Sequence, residues 1–588
     1  MMAEKARELA VRFTGSETVC LRDSSGITGP TIVGDVIYPD SGEVLTHYED
    51  ETLEIFLAHQ ARYSVGNYVL VDPDNQRVVT SPGYPGGYVA ERNGGTDITT
   101  VLSPLLEDTP PKFDKQILEQ YFMRDLLEFP MYRTVFQDID RLPPAYVVEY
   151  NEGQGQRRYG YLNRALSQNP PSSFRAAFNE TMERIAADAR QRNRSVVVLF
   201  SGGVDSLCLL IGARKFLNDD QIRVVTCDYG NPQDGPVLAR RLTDSLGGEI
   251  TVQTDEDGYW PPREPEIITN IEEAMDRDLF VKVMAPHLAL SNRLCSVDDI
   301  VLSGMNFGGW IRGRHAGERE PYPSGFPPDQ FLKYVLSTSP PLRQLQSEFT
   351  RTNQYINNRS IRRCYQTVHK QFSAGTGIDF DTSLRGYLYG MLKTGFPNLR
   401  ERDDWPSNLY DPNPDIDRFF AEVTNRRDDQ AVTQFYYYWF NQNGHKVLSS
   451  PTPSGSYCNL PVMHGPLASY YLDKGCPWYH ILSPKRPYYQ YIKKETGKRF
   501  HELTGLSISQ FRELTEYSQD WKEHFTTQNR TFLDPDSSTV LERTDDNHRI
   551  REMYAQAEER ATESESRFGT SDVGAFYRII NIERLMSP

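Results

Sequence analysis

The chain has 588 residues, with 64 Lys and Arg against 80 Asp and Glu, for a formal charge of −16. It exceeds the roughly 100–200 residues of a single domain and lacks the basic surplus that a general nucleic-acid binder needs to meet phosphate backbones. No apolar run approaches the ~18–20 residues of a bilayer helix, and the opening MMAEKARELA has no signal-peptide stretch. The seven cysteines, an odd number with no CxxC pair, offer neither a disulfide framework nor a zinc ribbon and fit a reducing, cytoplasmic setting.

Along the chain, the first segment reads as short strands with turn punctuation. GNYVLVDPDNQRVVTSPGYPGGYVAE alternates apolar and polar residues about Pro73-Asp74-Asn75, a hairpin signal, with further turns at Pro82-Gly83 and Gly86-Gly87. KQILEQYFMRDLLEF then has helical spacing, with Ile117, Tyr121, Leu126 and Leu127 on one face, and RLPPAYVVEYNEGQGQRRYGYLN predicts a last hairpin. This is an α+β domain over residues 1–165. A Pro- and Ser-rich linker, Ser167 to Phe174, leads into a second domain over 172–588.

The second domain opens with a helix that places Phe174, Phe178, Met182 and Ile185 at helical spacing. Apolar runs SVVVLF, QIRVVTCDY and DDIVLSG follow, with helical SLCLLIGARKFL and PVLARRLTDSLGG after the first two, which predicts a parallel sheet with crossover helices. Beyond Gly304 the chain reads as helices and long loops, and the charged tail from Ser537 to Phe568 as a solvated helix.

The chemistry-bearing motif is Ser201-Gly202-Gly203-Val204-Asp205-Ser206, between the strand SVVVLF and its following helix. A glycine-rich turn at the carboxyl end of a parallel strand points backbone N–H groups outward, and the helix adds its positive end, so the expected guest is a phosphate. The glycines permit close backbone approach, Ser201 and Ser206 donate hydroxyl hydrogen bonds, and Asp205 is suited to hold magnesium. A Walker loop is excluded because no GxxxxGK[ST] is present.

These six residues match SGGxDS, the signature of the PP-loop ATP pyrophosphatases, and the chain as a whole resembles the asparagine synthetase superfamily. GNYVLVDPDNQRVV, followed by Thr134, Phe136, Ile139, Leu142, Pro143 and Pro144 in the pattern T-x-F-x-x-I-x-x-L-P-P, is similar to that family's glutaminase-type domain. The resemblance implies an N-terminal Ntn-like sandwich, then a PP-loop synthetase domain with a helical C-terminal extension. It implies ATP and Mg2+ as cofactors, with adenylation of a small-molecule or peptide carboxylate, release of pyrophosphate and displacement of AMP by an amine donor. Phe200, Ser303 and Gly304 would contribute to the adenosine site. SPKRPYYQYIKKETGK looks like the segment in which these synthetases place a lysine, so Lys485 would reach the phosphates or the adenylate. A homodimer or a biosynthetic partner protein is compatible with this reading.

Two departures qualify the match. Working glutaminase domains of the family expose an N-terminal cysteine, whereas this chain begins Met1-Met2-Ala3 and its first cysteine is Cys20. The domain is therefore expected to be structural, as in β-lactam synthetases and lasso-peptide cyclases. Where relatives read SGxGADELFGG, Ser303 to Trp310 is shorter and without an acid, so a second metal carboxylate must come from elsewhere, for example Asp228, or the activity has drifted toward a non-catalytic ATP-binding scaffold. DYG at Asp228 to Gly230 also resembles 7-cyano-7-deazaguanine synthases, but their cysteine zinc cluster is lacking. Arg312, Arg314, His315 and Arg319 lie where a loop would close over substrate. Phe435 to Phe440 reads as core packing, and His464 and His480 as isolated residues.

Overall fold

The computed structural model describes residues 10–253 apart from 15–17, 21–28, 85, 93, 108–111, 124–131, 152–154, 168, 201 and 227–235. It further describes 294–304 apart from 297, then 413–423, 435–436, 458–474, 486–504, 534–555 apart from 545–547 and 549, and residues 579, 582, 583 and 586.

The chain opens with strands β1 (Ala10–Phe13), β2 (Thr18–Cys20) and β3 (Thr31–Tyr38). Helices α1 (Ser41–Asp50) and α2 (Leu53–Tyr63) follow, each started by a side chain that accepts from the first turn: Asp40 from Glu43 N–H and Thr52 from Ile55 N–H. Strands β4 (Val65–Asp72) and β5 (Arg77–Thr80) form the hairpin expected at Pro73-Asp74-Asn75, where Asp72 Oδ1 accepts from Asn75 N–H at 3.0 Å. Next come β6 (Gly87–Arg92), β7 (Gly95–Thr99), α3 (Ser103–Glu107), α4 (Lys115–Met123), β8 (Ile139–Leu142), and the second expected hairpin, β9 (Tyr146–Asn151) with β10 (Gly155–Gly160).

These strands make two five-stranded antiparallel sheets, ordered β2-β1-β7-β6-β8 and β10-β9-β5-β4-β3. All eight residues of β4 are buried, so this strand is covered on both faces despite its alternating sequence. The T-x-F-x-x-I-x-x-L-P-P run is the joint between the sheets. Thr134 Oγ1 donates to Ile139 O at 2.8 Å and accepts from Phe136 N–H at 3.1 Å, while Thr80 Oγ1 donates to Pro143 O at 2.8 Å.

After Ser173, whose side chain caps it, α5 (Phe174–Arg192) buries Phe174, Phe178, Met182 and Ile185 as its spacing predicts. Then come β11 (Val196–Leu199), α6 (Val204–Phe216), β12 (Ile222–Val225), α7 (Pro236–Leu246), β13 (Thr251–Gln253), β14 (Ile300–Ser303), α8 (Asn413–Val423) and β15 (Cys458–Asn459). Helices α9 (Gly465–Lys474), α10 (Arg486–Thr496), α11 (Phe500–Thr504) and α12 (Thr539–Arg543) complete the described elements. The five strands form one parallel sheet in the order β13-β12-β11-β14-β15. Val196 and Val198 face the core beneath α6 and α7, while Val197 and Leu199 join Val225, Val301, Cys295 and Cys458 on the opposite face.

The architecture is thus an α+β region of antiparallel sheets followed by a parallel sheet with helices. Residues from far along the chain complete the first region's packing. Glu422 on α8 accepts from the Tyr146 hydroxyl, Arg418 binds Asp140 at 2.8 Å, and the Tyr436 hydroxyl donates to Ala145 O at 2.7 Å. Phe435 and Tyr436 are fully buried, in keeping with core packing of the aromatic run, whose remaining residues lie outside the described ones. The tail differs from a plainly solvated helix: Val540, Leu541, Ile550 and Tyr554 are buried, and the first N–H groups of α12 bond to the Glu583 carboxylate. Among the described residues, no helix is long and apolar enough to cross a membrane.

Candidate functional site

The chain leaves β11 at the place where the sheet order reverses, since β12 flanks it on one side and β14 on the other. Such a reversal opens a crevice outside the carboxyl ends of the strands. Register fixes what lines it: Leu199 stands beside Val225 and Ser303, so the segments beginning at Phe200, Thr226 and Gly304 leave the sheet at one level.

Gly202 has φ +71°, a left-handed conformation that glycine adopts without strain, and a Cβ there would overlap the Leu238 side chain of α7. Gly203 caps α6 with extended backbone (φ −71°, ψ 161°) and contributes no side-chain cap bond. Its carbonyl accepts from Leu207 N–H at 3.0 Å and from the Ser206 hydroxyl at 3.1 Å. Asp205 is half-buried in the first turn. From the neighbouring strand, Gly304 closes on that turn: a Cβ on it would stand 2.8 Å from the carbonyl carbon and Cβ of Asp205 and from Ser206 N.

The structure therefore brings Gly202, Gly203, Asp205, Ser206, Ser303 and Gly304 to one place. Phe200 immediately precedes the turn but lies in the apolar core at 1% exposure, with its N–H donating to Val225 O at 2.8 Å. Ser201, Asp228 and Lys485 lie outside the described residues, as do Met305 to Trp310, Arg312, Arg314, His315, Arg319 and His480.

Four contributions were not read from the sequence. Leu238 backs Gly202 from a helix whose apolar face is evident but whose register on the turn is not. Thr226, at the end of β12, holds a buried hydroxyl with no hydrogen-bond partner. Strand β15 is too short to carry a period, yet Cys458 and Asn459 pair with Val301 and Leu302 and extend the sheet beyond β14. Fourth, α10 runs parallel to α6. At their carboxyl ends Lys215 Nζ meets Glu495 at 3.1 Å, and at their amino ends the Asp205 carboxylate acts on Tyr488.

Burial pushes the Cys208 thiol and the Tyr488 hydroxyl well above their ordinary pKa values, and the negative field of Asp205 adds to both shifts. These groups stay neutral beneath the turn. The arrangement suits a phosphorylated guest, with a helix amino terminus and backbone on a two-glycine turn, a flanking glycine with no side chain, and one carboxylate at the rim. Among the described residues, no group of three or more His, Cys, Asp or Glu is placed to hold a metal ion. Magnesium bound along with a polyphosphate asks for less, usually one or two carboxylates with waters and phosphate oxygens as the other ligands, and Asp205 fits that requirement.

No protein-family model matches the chain, and no curated protein matches it.

Proposed function

We propose that the chain is an ATP-dependent, AMP- and pyrophosphate-forming carbon–nitrogen ligase of the asparagine synthetase kind, with an Ntn-like N-terminal domain that has no glutaminase activity and a PP-loop synthetase domain. The observation that carries this reading is the glycine turn at the sheet reversal, closed from the next strand by Gly304 against Asp205 and Ser206. Gly202, Gly203, Ser201 and Ser206 would cradle the pyrophosphate portion of ATP, with Asp205 as the magnesium ligand. The crevice between the ends of β12 and β14 would take the nucleoside, beside Thr226, Ser303 and Gly304. Lys485, one residue before Arg486 in the sequence, would supply a fixed cation that stabilises charge on the departing pyrophosphate. Asp228 is the candidate second carboxylate.

In such a reaction a carboxylate oxygen of the substrate forms a bond to the α-phosphorus of ATP as the bond to pyrophosphate breaks. An amine then displaces AMP from the acyl carbon and gives up a proton. The amine source is the substrate itself, free ammonia, or a separate partner. Cys20 is poorly placed to make ammonia. It lies in β2, which among the described residues pairs with β1, so a chain starting at Cys20 would lose the strand that ties β2 to β7.

A second reading, a non-catalytic ATP-binding scaffold, is favoured by the acid-free Ser303 to Trp310 segment. Exchange of labelled pyrophosphate into ATP, run against a panel of carboxylic acids, separates the two. Exchange that disappears in Asp205→Ala and falls at least tenfold in Lys485→Ala supports the ligase. Magnesium-dependent ATP binding without exchange for any acid supports the scaffold, and absence of ATP binding sinks both.

A further inference from the structure

Between the first region and α5 runs a column of planar side chains that the ligase reading leaves unused. His47 of α1 stacks on His59 of α2 with ring centroids 4.7 Å apart and an interplanar angle of 21°. His59 meets the Tyr63 ring at 4.9 Å. Arg184 of α5 then inserts between two tyrosines, 5.1 Å from the Tyr63 ring centroid and 4.8 Å from that of Tyr38 at the end of β3. Arg184 Nη1 also donates to Tyr63 O at 2.9 Å, and Glu180 of α5 ties Arg184 at 2.9 Å to Arg62 at 3.1 Å. Arg184 is thus a bolt from the helix that leads into β11, held in a slot built by α2 and β3.

Two polar atoms in this column are buried without a hydrogen-bond partner, Nδ1 of His59 and Oε2 of Glu51. His47 is served on both sides, with Nδ1 3.1 Å from Glu51 Oε1 and Nε2 3.6 Å from Glu43 Oε1. A proton added at His59 Nδ1 creates a buried N–H with no acceptor within bonding distance, inside a stack that also holds the Arg184 guanidinium.

We propose that the His47–His59–Tyr63–Arg184–Tyr38 column is an acid-sensitive clasp that docks α2 onto α5 when His59 is neutral and loosens when it takes up a proton. The groups that act on His59 are His47 of α1 and Arg184 of α5, which oppose its charging, and Glu51 and Glu43 of α1, which favour it. Burial is the largest influence and prevails, so its pKa lies below the ordinary histidine value. The sign follows: the docked form binds this proton less well than the released form, so docking is favoured above the ordinary value of about 6.5 and weakens below it. The docked-to-released ratio changes by at most about tenfold per pH unit for one proton. Because α5 leads straight into β11, loosening would reach the turn that precedes α6.

Hydrogen exchange of the full chain at pH 7.5 and 5.5, corrected for the intrinsic pH dependence of exchange, tests the clasp. The wild type is compared with His59→Phe, which keeps a stacked ring without a proton site, and with His59→Gln in case phenylalanine crowds the slot. Expected is a loss of protection in Leu53–Tyr63 and in α5 from Glu180 onward on acidification, at least fivefold greater in the wild type than in whichever variant folds. An equal loss in wild type and variant, no loss in the wild type, or a gain of protection at pH 5.5 would overturn the proposal.

Discussion

Replacing Gly304 with alanine puts a methyl group against the backbone of the turn in the candidate site. Its Cβ would stand 2.8 Å from three atoms, two of them the backbone carbonyl carbon of Asp205 and backbone nitrogen of Ser206. Comfortable contacts between carbon atoms lie near 3.5–4.0 Å, so β14 and the head of α6 must separate by roughly 1 Å. The turn resists, because Leu207 N–H and the Ser206 hydroxyl both bond to Gly203 O, at 3.0 and 3.1 Å. Overpacking of this kind costs about 1–3 kcal/mol. Gly29→Ala serves as the control, since nothing lies within 4 Å of that position, and it should stay within about 0.5 kcal/mol of wild type. Urea unfolding reads the stability, and titration with Mg·ATP is expected to show at least a tenfold loss of affinity, about 1.4 kcal/mol. Should Gly304→Ala match the control in both measurements, β14 does not close on the turn and the site as described is wrong.

Three further outcomes follow from the same contacts. Arg194→Ala leaves Asp35 and Asp188 buried without the guanidinium that bonds them at 2.8–3.2 Å, and should lower unfolding free energy by about 3–5 kcal/mol; a loss under about 1 kcal/mol would refute the buried network. His464 is fully enclosed with neither ring nitrogen bonded, and burial depresses its pKa to about 3. A histidine depressed on folding costs stability as pH falls below about 6.5, so the wild type should lose about 2–3 kcal/mol relative to His464→Gln between pH 6.5 and 4.5. Asp188, raised to about 6 chiefly by burial, has the opposite sign and cancels in that comparison; parallel pH profiles of the two proteins would remove His464 from the account. A fragment of residues 1–165 should fail to give a cooperative melt by circular dichroism, because the partners of Tyr146 and Ala145 on α8 and Tyr436 are missing from it.

The parts of the fold legible in the sequence are those whose order is local. SVVVLF and DDIVLSG are continuous apolar runs because β11 and β14 are buried on both faces, and the glycine turn stands out because its conformation excludes other residues. The hairpin at Pro73-Asp74-Asn75 was equally readable, since Asp72 folds the turn through its own side chain. What could not be read is what depends on distant pairing. Cys458 and Asn459 form a strand only because β14 offers an edge, and no two-residue segment announces that. Gly304 was selectable by resemblance, but its closure on Asp205 depends on the register of β14 against β11, which local composition does not encode. Nor does the chain's order reveal that α8 serves the antiparallel region rather than the parallel sheet that precedes it.

The parallel course of α6 and α10 gives the second half of the chain a reason to matter to the turn. Antiparallel packing would carry the amino end of α10 to the far edge of the sheet, some 15 Å away over an 11-residue helix. Instead Glu495 is fixed at the bottom by Lys215 of α6 at 3.1 Å and by Arg175 of α5 at 2.6 Å, and these bonds set the direction in which the helix rises. Tyr491 adds a bond to Asn179 at 2.9 Å, and Tyr488 packs edge-on against Phe174 at 5.0 Å, so α10 is held along its length by α5 as well. Both helix amino ends then face the crevice outside the parallel strands, and their positive ends add there. In the proposed ligase, Lys485, immediately before α10 in the sequence, would add a cation to that field. Glu495→Ala, by releasing the lower anchor about 10 Å from Tyr488, therefore separates orientation from chemistry: it should weaken Mg·ATP binding although residue 495 cannot touch the nucleotide, and unchanged binding would show that the direction of α10 is set by its aromatic face alone.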